Sequence, residues 1–203
     1  MTPAKLFNRA ELEAALSVLE PKESLSIAAL DLDNFNEINK TFGHEGGDTV
    51  LRSLERTLVG SVPSESLVAR IGGDEYVVVL PDTSAEGALI LLEEIRTHFS
   101  SREASKEVPR KVQISVGIAN KPAHAKNTGD LLRAADEALY RAKREGRGRV
   151  AIYVEDKMTL KSNYYPKAQL ERLAKLSNAT GRTEASLLRE GLEELLAKYK
   201  DEL

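Results

Sequence analysis

The chain has 203 residues, of which 41% are hydrophobic and 30% are charged, and its formal net charge is −3. These values are typical of a folded protein with one ordinary domain and a small second one, and they exclude a wholly disordered or fibrous chain. No window approaches the roughly 18 apolar residues of a membrane span, and the charged N-terminus does not match a signal peptide, so we expect a cytoplasmic protein without a membrane partner. Because the chain has no cysteine and three scattered histidines, a metal site would need oxygen ligands.

The charge is distributed unevenly along the chain. From Lys157 to the end there are nine Lys and Arg against seven Asp and Glu, a net charge of +2, which leaves −5 for residues 1–156. Such asymmetry indicates that the tail is a separate unit with an anionic partner.

The spacing of apolar residues predicts alternating helices and strands. In chain order these are a helix over 8–19, a strand over 24–32, a helix over 36–62, a hairpin over 66–81 with its turn at the glycines, a helix over 85–99, a strand over 112–119, a helix over 128–145 and a strand over 150–154. This order predicts an α+β fold with a βαββαβ core, in which helices cover one face of a mainly antiparallel sheet.

Two acidic patches lie at predicted strand ends. Asp31 and Asp33 follow an apolar strand, and Asp74 and Glu75 lie in the hairpin turn. If the first strand lies beside the hairpin, these carboxylates converge, and a cluster of this kind is stable mainly when a cation neutralises it. Oxygen-only ligands favour Mg²⁺ or Mn²⁺. The alternative is that Asp31 and Asp33 are solvated turn residues.

Four separated motifs then carry a resemblance to a known family. They are "DLDNFNEINKTFGHEGGD" (31–48), "RIGGDEY" (70–76), "ISVGIA" (114–119) and "ADEALYRAKREGRGRV" (135–150). Together they resemble the GGDEF family, the diguanylate cyclases. The resemblance implies a palm, ferredoxin-like nucleotide-cyclase domain over 1–154, which condenses two GTP molecules to cyclic di-GMP with loss of two pyrophosphates.

The same resemblance implies roles for individual residues. It places magnesium (or manganese) on Asp31, Leu32 and Asp74, and it makes Asp31, Asp74 and Glu75 the catalytic residues, with Glu75 assisting at the metal or at the attacking 3′-hydroxyl. Guanine would be bound by Asn39 and Asp48. The phosphates would be bound by the backbone around Phe35 and by Lys143 and Arg147, taken to lie one turn apart at the end of a helix.

One departure from the family pattern concerns the expected activity. The family usually has a lysine after the phenylalanine of the first motif, and here that position is Asn36. A cation near the transferring phosphate is therefore missing, and the resemblance implies either a cyclase of reduced activity or a degenerate domain that senses GTP or cyclic di-GMP.

The tail resembles a second family. Over 157–203 the sequence predicts a strand and then two amphipathic helices, the first opened by Pro166 and the second capped by Thr183. This pattern resembles ribbon-helix-helix proteins, which form homodimers and bind double-stranded DNA with a strand ribbon and the N-terminus of the second helix.

The resemblance implies DNA contacts from the strand and from Thr183. Period-two alternation exposes Lys161 and Asn163, whereas counting back from Pro166 as in the family exposes Ser162 and Tyr164. The face of the strand that meets DNA is left open, and a tail that only dimerises is the alternative.

Three functions therefore follow from the sequence. The leading hypothesis is a diguanylate cyclase tethered to DNA. The second is a DNA-binding transcriptional regulator controlled by a nucleotide-sensing, degenerate cyclase domain. The third is a cyclase whose tail serves only to dimerise it.

Overall fold

The computed structural model describes residues 5–20, 22–101, 112–155, 164–180 and 183–200. The chain divides into two compact units, Met1–Asp156 and Lys157–Leu203, which are described separately below. Within the described ranges, no helix is long and apolar enough to cross a membrane.

The larger unit alternates short strands with helices. Its elements are β1 (Leu6–Phe7), α1 (Arg9–Leu19), β2 (Leu25–Leu32), α2 (Phe35–Ser61), β3 (Leu67–Arg70), β4 (Glu75–Pro81), α3 (Ala85–Ser100), β5 (Ile114–Lys121), α4 (Thr128–Arg144) and β6 (Val150–Ile152). The run from β2 to β5 is the βαββαβ core that the sequence predicts. The α+β fold is confirmed.

The strands form one six-stranded sheet in the order β1-β3-β4-β2-β5-β6. The central strand β2 is antiparallel to both β4 and β5. The β3–β4 hairpin is also antiparallel, whereas the two edge strands, β1 and β6, pair in parallel. All eight residues of β2 are buried, including Ser26 and Asp31, as its largely apolar sequence predicts.

Helices cover both faces of the sheet, so the expectation of helices on one face is wrong. Ala28, Leu30 and Leu32 of β2 belong to a core cluster that contains residues of α2 and α3. Leu25, Ile27 and Ala29 belong to a second cluster that contains residues of α1 and α4. The physical reason is the composition of β2, because a strand that is apolar at successive positions needs cover on both of its sides.

Helix α4 approaches the sheet closely at Gly117 of β5. A Cβ atom added there would lie 2.6 Å from the backbone carbon of Ala138, and it would also collide with the carbonyl of Ala135 and the amide of Leu139. The absence of a side chain at Gly117 therefore sets the packing distance between β5 and α4.

The Gly117→Ala substitution is expected to lower the free energy of unfolding by about 3 kcal/mol, because the new methyl group meets backbone rather than a movable side chain. The matched control is Gly60→Ala near the end of α2, where an added Cβ meets nothing within 4 Å. There alanine should stabilise the helix by up to about 1 kcal/mol. Urea unfolding of both variants measures the difference, and equal stabilities would contradict the packing argument.

The smaller unit contains two helices, α5 (Lys167–Thr180) and α6 (Glu184–Lys198). The carbonyl of Pro166 accepts hydrogen bonds from the first turn of α5, and that of Thr183 accepts one from Leu187 of α6. Pro166 therefore opens the first helix, as predicted. Most of the predicted strand lies outside the described residues, and Tyr164 and Tyr165 belong to no strand.

Most of the leucines of α5 and α6 are exposed within one chain. No residue of α5 is buried. The leucines that are more than 40% exposed are Leu170, Leu176, Leu188, Leu192, Leu195 and Leu196. Removing such a surface from water is favourable, so it is typical of a unit that packs against a partner.

Candidate active site

The two acidic patches meet at one end of the sheet. Asp31, near the end of β2, is directly opposite Glu75, the first residue of β4. The amide of Leu32 donates to the carbonyl of Asp74 at 3.3 Å. The convergence predicted from the strand ends is therefore observed, and the pairing of β2 with β4 produces it.

The turn between β3 and β4 is held by Arg70. Its guanidinium donates to the carbonyls of Gly72 at 3.2 Å and Gly73 at 2.7 Å, and it pairs with Glu55 of α2 at 3.3 Å. The same Glu55 oxygen accepts from the hydroxyl of Tyr76 at 3.0 Å. Burial, together with the Glu55 charge, raises the pKa of Tyr76, so the phenol stays neutral and donates. The turn that carries Asp74 is thereby fixed to α2.

A second arginine supports this turn from the other side. Arg9, the first residue of α1, donates to the carbonyl of Ile71 at 3.0 Å. Neither Arg9 nor the Arg70–Glu55 pair is among the predicted site residues, since their partners are 62 and 15 positions away in the chain. An arginine two positions before a glycine pair is the only sequence signal for this role of Arg70.

Asp31 is buried and paired with a lysine. The residue is 8% exposed, and Lys143 of α4 places its Nζ atom 2.8 Å from an Asp31 carboxylate oxygen. Burial raises the pKa of Asp31, the charges of Asp74 and Asp33 raise it further, and Lys143 opposes the shift. With Asp33 only 6% exposed, the alternative that both are solvated turn residues is wrong.

The oxygen atoms at this end of the sheet suit a hard cation. Asp31 and Asp74 offer carboxylates, and the apolar Leu32 has only its backbone carbonyl to offer. Within the described ranges, no three His, Cys, Asp or Glu side chains form a metal-binding group. Two carboxylates and a carbonyl nevertheless fit magnesium, which is commonly held by one or two carboxylates together with water and substrate phosphates. Burial is the main cause of the raised pKa of Asp31, and the repulsion from Asp74 and Asp33 that adds to it would be relieved by a bound cation.

The predicted guanine-binding residues flank a kink in α2. The backbone of Gly43, with φ 70° and ψ 175°, interrupts the helix between Asn39 and Asp48. A Cβ atom at Gly47 would lie 3.0 Å from Asn39 Cγ and 3.2 Å from the Phe35 ring. Asn39 and Phe35 therefore pack against Gly47, beside Asp48, whose side chain is exposed.

The two basic residues predicted to bind phosphate lie on different elements. Lys143 lies on α4, but this helix ends at Arg144. The expectation that Arg147 lies one turn further along the same helix is therefore wrong. Arg147 lies in the following turn with φ +61°, and its amide donates to the carbonyl of Ala142 at 3.1 Å. Gly146, at φ +117°, ends the helix in the usual manner of a C-terminal glycine and redirects the chain.

Most of the predicted DNA-binding residues cannot be placed. Lys161, Ser162 and Asn163 lie outside the described residues. Tyr164 is fully exposed, and Thr183 immediately precedes α6. Their roles stay predictions.

The burial of Asp31 leads to an expected effect of pH on stability. Because its pKa is raised above the ordinary 3.8, the ionised side chain destabilises the metal-free fold at neutral pH. Asp31→Asn should therefore raise the melting temperature by about 2 °C or more at pH 7 in the presence of a chelator. The stability gain of Asp31→Asn should be complete at a pH above the raised pKa of Asp31. It should vanish as the pH falls below the ordinary pKa of aspartate, because Asp31 is then protonated and as neutral as the asparagine that replaces it. A variant that is less stable than the parent at pH 7 would contradict this sign.

Comparison with known proteins agrees with the architecture. The family model of the diguanylate cyclase GGDEF domain matches residues 3–149, and that of the ribbon-helix-helix domain matches residues 161–200. The chain belongs to the GGDEF diguanylate cyclase family, and it carries a ribbon-helix-helix domain at its C-terminus.

Two curated relatives illustrate the similarity. The chain is 35% identical over 150 residues to Diguanylate cyclase A of Treponema denticola and 34% identical over 132 residues to a diguanylate cyclase of Vibrio cholerae. These alignments cover 73% and 65% of the chain, but only 38% and 41% of the relatives. The chain thus spans about two fifths of the length of these relatives.

Solved structures show the same fold. The active GGEEF domain of a diguanylate cyclase from Vibrio cholerae superimposes with a TM-score of 0.66 at 32% identity, covering 75% of this chain and all of that one. The GGDEF domain of DgcB from Caulobacter crescentus, in complex with c-di-GMP, gives a TM-score of 0.65 at 31% identity over 73% of this chain and 92% of that one.

Proposed function

We propose that the protein is a diguanylate cyclase that condenses two GTP molecules to cyclic di-GMP by metal-assisted phosphoryl transfer. One observation carries the proposal: the end of β2 and the GGDEY turn bring Asp31, Asp74 and Glu75 together, with the Lys143 ammonium 2.8 Å from Asp31. Acidic groups for a divalent cation and a basic group for a triphosphate at one end of a sheet fit a nucleotidyl transfer site.

In this proposal each residue has a defined task. Asp31 and Asp74, with the Leu32 carbonyl, hold magnesium or manganese, which when bound supplies electrostatic stabilisation of charge on the phosphates. Glu75 assists at the metal or accepts the proton of the attacking 3′-hydroxyl. Lys143 moves from Asp31 to the phosphates, because the positive charge that it supplies to the carboxylate is then provided by the cation.

The remaining residues bind and orient the nucleotide. Arg147 holds the terminal phosphates, and the backbone amides near Phe35 contact them. Asn39 and Asp48 bind the guanine edge, because a carboxylate accepts from the N1–H and N2–H₂ donors that adenine lacks. Since GTP is the proposed substrate, we expect the protein to act in the cytoplasm.

The direct test is product formation. The purified full-length protein is incubated with GTP and Mg²⁺, and cyclic di-GMP is measured by liquid chromatography. Formation of cyclic di-GMP with GTP and Mg²⁺ supports the cyclase, provided that none forms when Mg²⁺ is omitted or when ATP replaces GTP. Binding of GTP without turnover would support the alternative, in which a degenerate cyclase domain senses nucleotide and controls DNA binding. Asn36, exposed at the start of α2, is the departure that favours this alternative.

We further propose that the C-terminal unit joins two chains and binds double-stranded DNA. The exposed leucines on α5 and α6 support association, because two such helices cannot cover their own apolar faces. A second copy offers the same faces in a symmetric arrangement. Each cyclase domain binds one GTP, so two domains must face each other to make a cyclic dinucleotide.

DNA binding is expected to depend strongly on salt. Because residues 157–203 carry a net charge of +2 and the partner proposed for them is a polyanion, raising the salt concentration from about 50 to 200 mM should weaken the affinity for a labelled duplex by at least about tenfold. Fluorescence anisotropy measures this, with residues 1–156 alone as the control that should not bind. A salt-independent affinity would contradict the phosphate contacts.

A further inference from the structure

Asp33 is a buried acid to which the proposed chemistry assigns no task. It follows β2, two positions after Asp31, and is 6% exposed. Its amide donates to the carbonyl of Gln113 at 3.0 Å, which extends the pairing of β2 with β5 by one step. Its backbone is thus fixed between two strands, and its carboxylate has a defined direction.

The carboxylate of Asp33 bonds to two other segments. One oxygen accepts from the Ser115 hydroxyl of β5 at 2.7 Å, and the other accepts from the amide of Gly148 at 2.9 Å. The Gly148 amide also lies 3.2 Å from the Ser115 hydroxyl oxygen. The partners lie 82 and 115 positions away in the chain, so this contact connects the end of β2 to the turn that follows α4.

That turn is also packed closely against the start of β5. Gly148 has φ +58°, and a Cβ atom there would lie 2.8 Å from the side-chain oxygen of Gln113. Gly148 is therefore held by two residues: Asp33 accepts a hydrogen bond from its amide, and the Gln113 side chain packs closely against its Cα.

Arg147 lies between two backbone anchors. Its own amide is bonded to Ala142 at the end of α4, and the next amide, that of Gly148, is bonded to Asp33. Arg147 adopts φ +61°, an unfavourable conformation for a residue with a side chain, and its side chain is exposed. Burial of the side chain does not explain this conformation, whereas the two anchors do.

We propose that Asp33 is a positioning residue that holds the Arg147 turn in place for binding the terminal phosphates of the nucleotide. This rests on the proposed function in one respect, namely that Arg147 contacts the phosphates. Asp33 itself contacts neither metal nor nucleotide in this assignment. It acts through the Gly148 amide, by fixing the left-handed backbone from which the Arg147 guanidinium extends.

The first test does not depend on catalysis. Asp33→Ala is expected to speed hydrogen exchange at the Gly148 amide by about tenfold or more, because a charge-assisted hydrogen bond is lost, while exchange in the middle of α4 is unchanged. Asp33→Asn should restore most of the protection, since its amide oxygen still accepts from Gly148. Asp82→Asn is the matched control: it removes one carboxylate beside the opposite end of β2 and should change nothing at Gly148.

Two results of this test would overturn the proposal. The first is an unchanged exchange rate at the Gly148 amide in Asp33→Ala. The second is exchange at Gly148 that is as fast in Asp33→Asn as in Asp33→Ala, which would show that the charge of Asp33 and not its hydrogen bond protects the amide. Should Asp33→Ala fail to fold, Ser115→Ala provides the same measurement, because its hydroxyl contacts both groups. There we expect about threefold faster exchange at Gly148, and no change would again overturn the proposal.

The second test asks whether Asp33 acts through Arg147. Affinity for 3′-deoxy-GTP, which lacks the attacking hydroxyl, is measured with Mg²⁺ for Asp33→Ala, Arg147→Ala and the double variant. Asp33→Ala should weaken binding about tenfold alone, but less than about twofold when Arg147 is already alanine. An equal loss in both backgrounds overturns the link. If the parent protein binds no 3′-deoxy-GTP, the proposed function fails, and the exchange measurement still decides whether Asp33 holds the turn.

Discussion

Asp74→Ala is expected to abolish cyclic di-GMP formation while leaving the fold intact. The substitution removes one of the two carboxylates proposed to hold magnesium, and stabilisation of transferring phosphate by a metal amounts to several kcal/mol, which corresponds to a loss of about a thousandfold or more in rate. The fold should survive because the contribution of Asp74 to the sheet is its carbonyl, which accepts from Leu32. Product formation with GTP and Mg²⁺ measures the loss, and the melting temperature reports the fold.

Asp82→Asn is the control for this prediction. Asp82 follows the other end of β4, where it pairs with Lys22 at the surface. Its φ of 53° is one that asparagine tolerates. This variant should retain parental activity. An active Asp74→Ala enzyme would show that the assignment of the metal to the GGDEY turn is wrong.

Removal of residues 157–203 is expected to make cyclase activity depend on protein concentration. If the tails join two chains as proposed, they raise the effective concentration of cyclase domains to the order of mM, provided that residues 154–158 span the gap between the two domains. At about 10 nM, the truncated protein should therefore show less than about a hundredth of the full-length activity per molecule, and its specific activity should rise with concentration.

A substitute tail separates dimerisation from other roles of the C-terminal unit. Residues 1–156 fused to a parallel dimeric coiled coil should recover activity at low concentration without recovering DNA binding. Equal activity of the truncated and full-length proteins at about 10 nM would show that the tail does not assemble the active site.

The parts of the structure that could be predicted are those encoded locally. The apolar run before Asp31 indicates a buried strand, and the glycine pair between two apolar runs indicates a hairpin, so the meeting of Asp31 with Glu75 required only that the two elements pair. The expected roles of the site residues came from the four motifs, because these resemble a known family over most of the larger unit.

The parts that could not be predicted depend on contacts between distant segments. Asp33 was visible as an acid beside Asp31, but its partner Gly148 is 115 positions away, and no local pattern connects them. The position of Arg147 was misjudged for a similar reason. The sequence predicts that the helix ends at 145, and Arg147 was taken to lie on its last turn, whereas glycines at 146 and 148 turn the chain back toward β2.

The shortness of the edge strands limits how two larger units can associate. β1 contributes two residues and β6 three, so each edge of the sheet offers few unpaired backbone groups to an incoming strand. Joining two sheets edge to edge into one continuous sheet would therefore gain few hydrogen bonds, and such short edges are a common protection against aggregation. In the proposed dimer, two GGDEF domains are thus held near each other at high local concentration, as the proposed GTP condensation requires, without the sheets fusing into an inactive assembly.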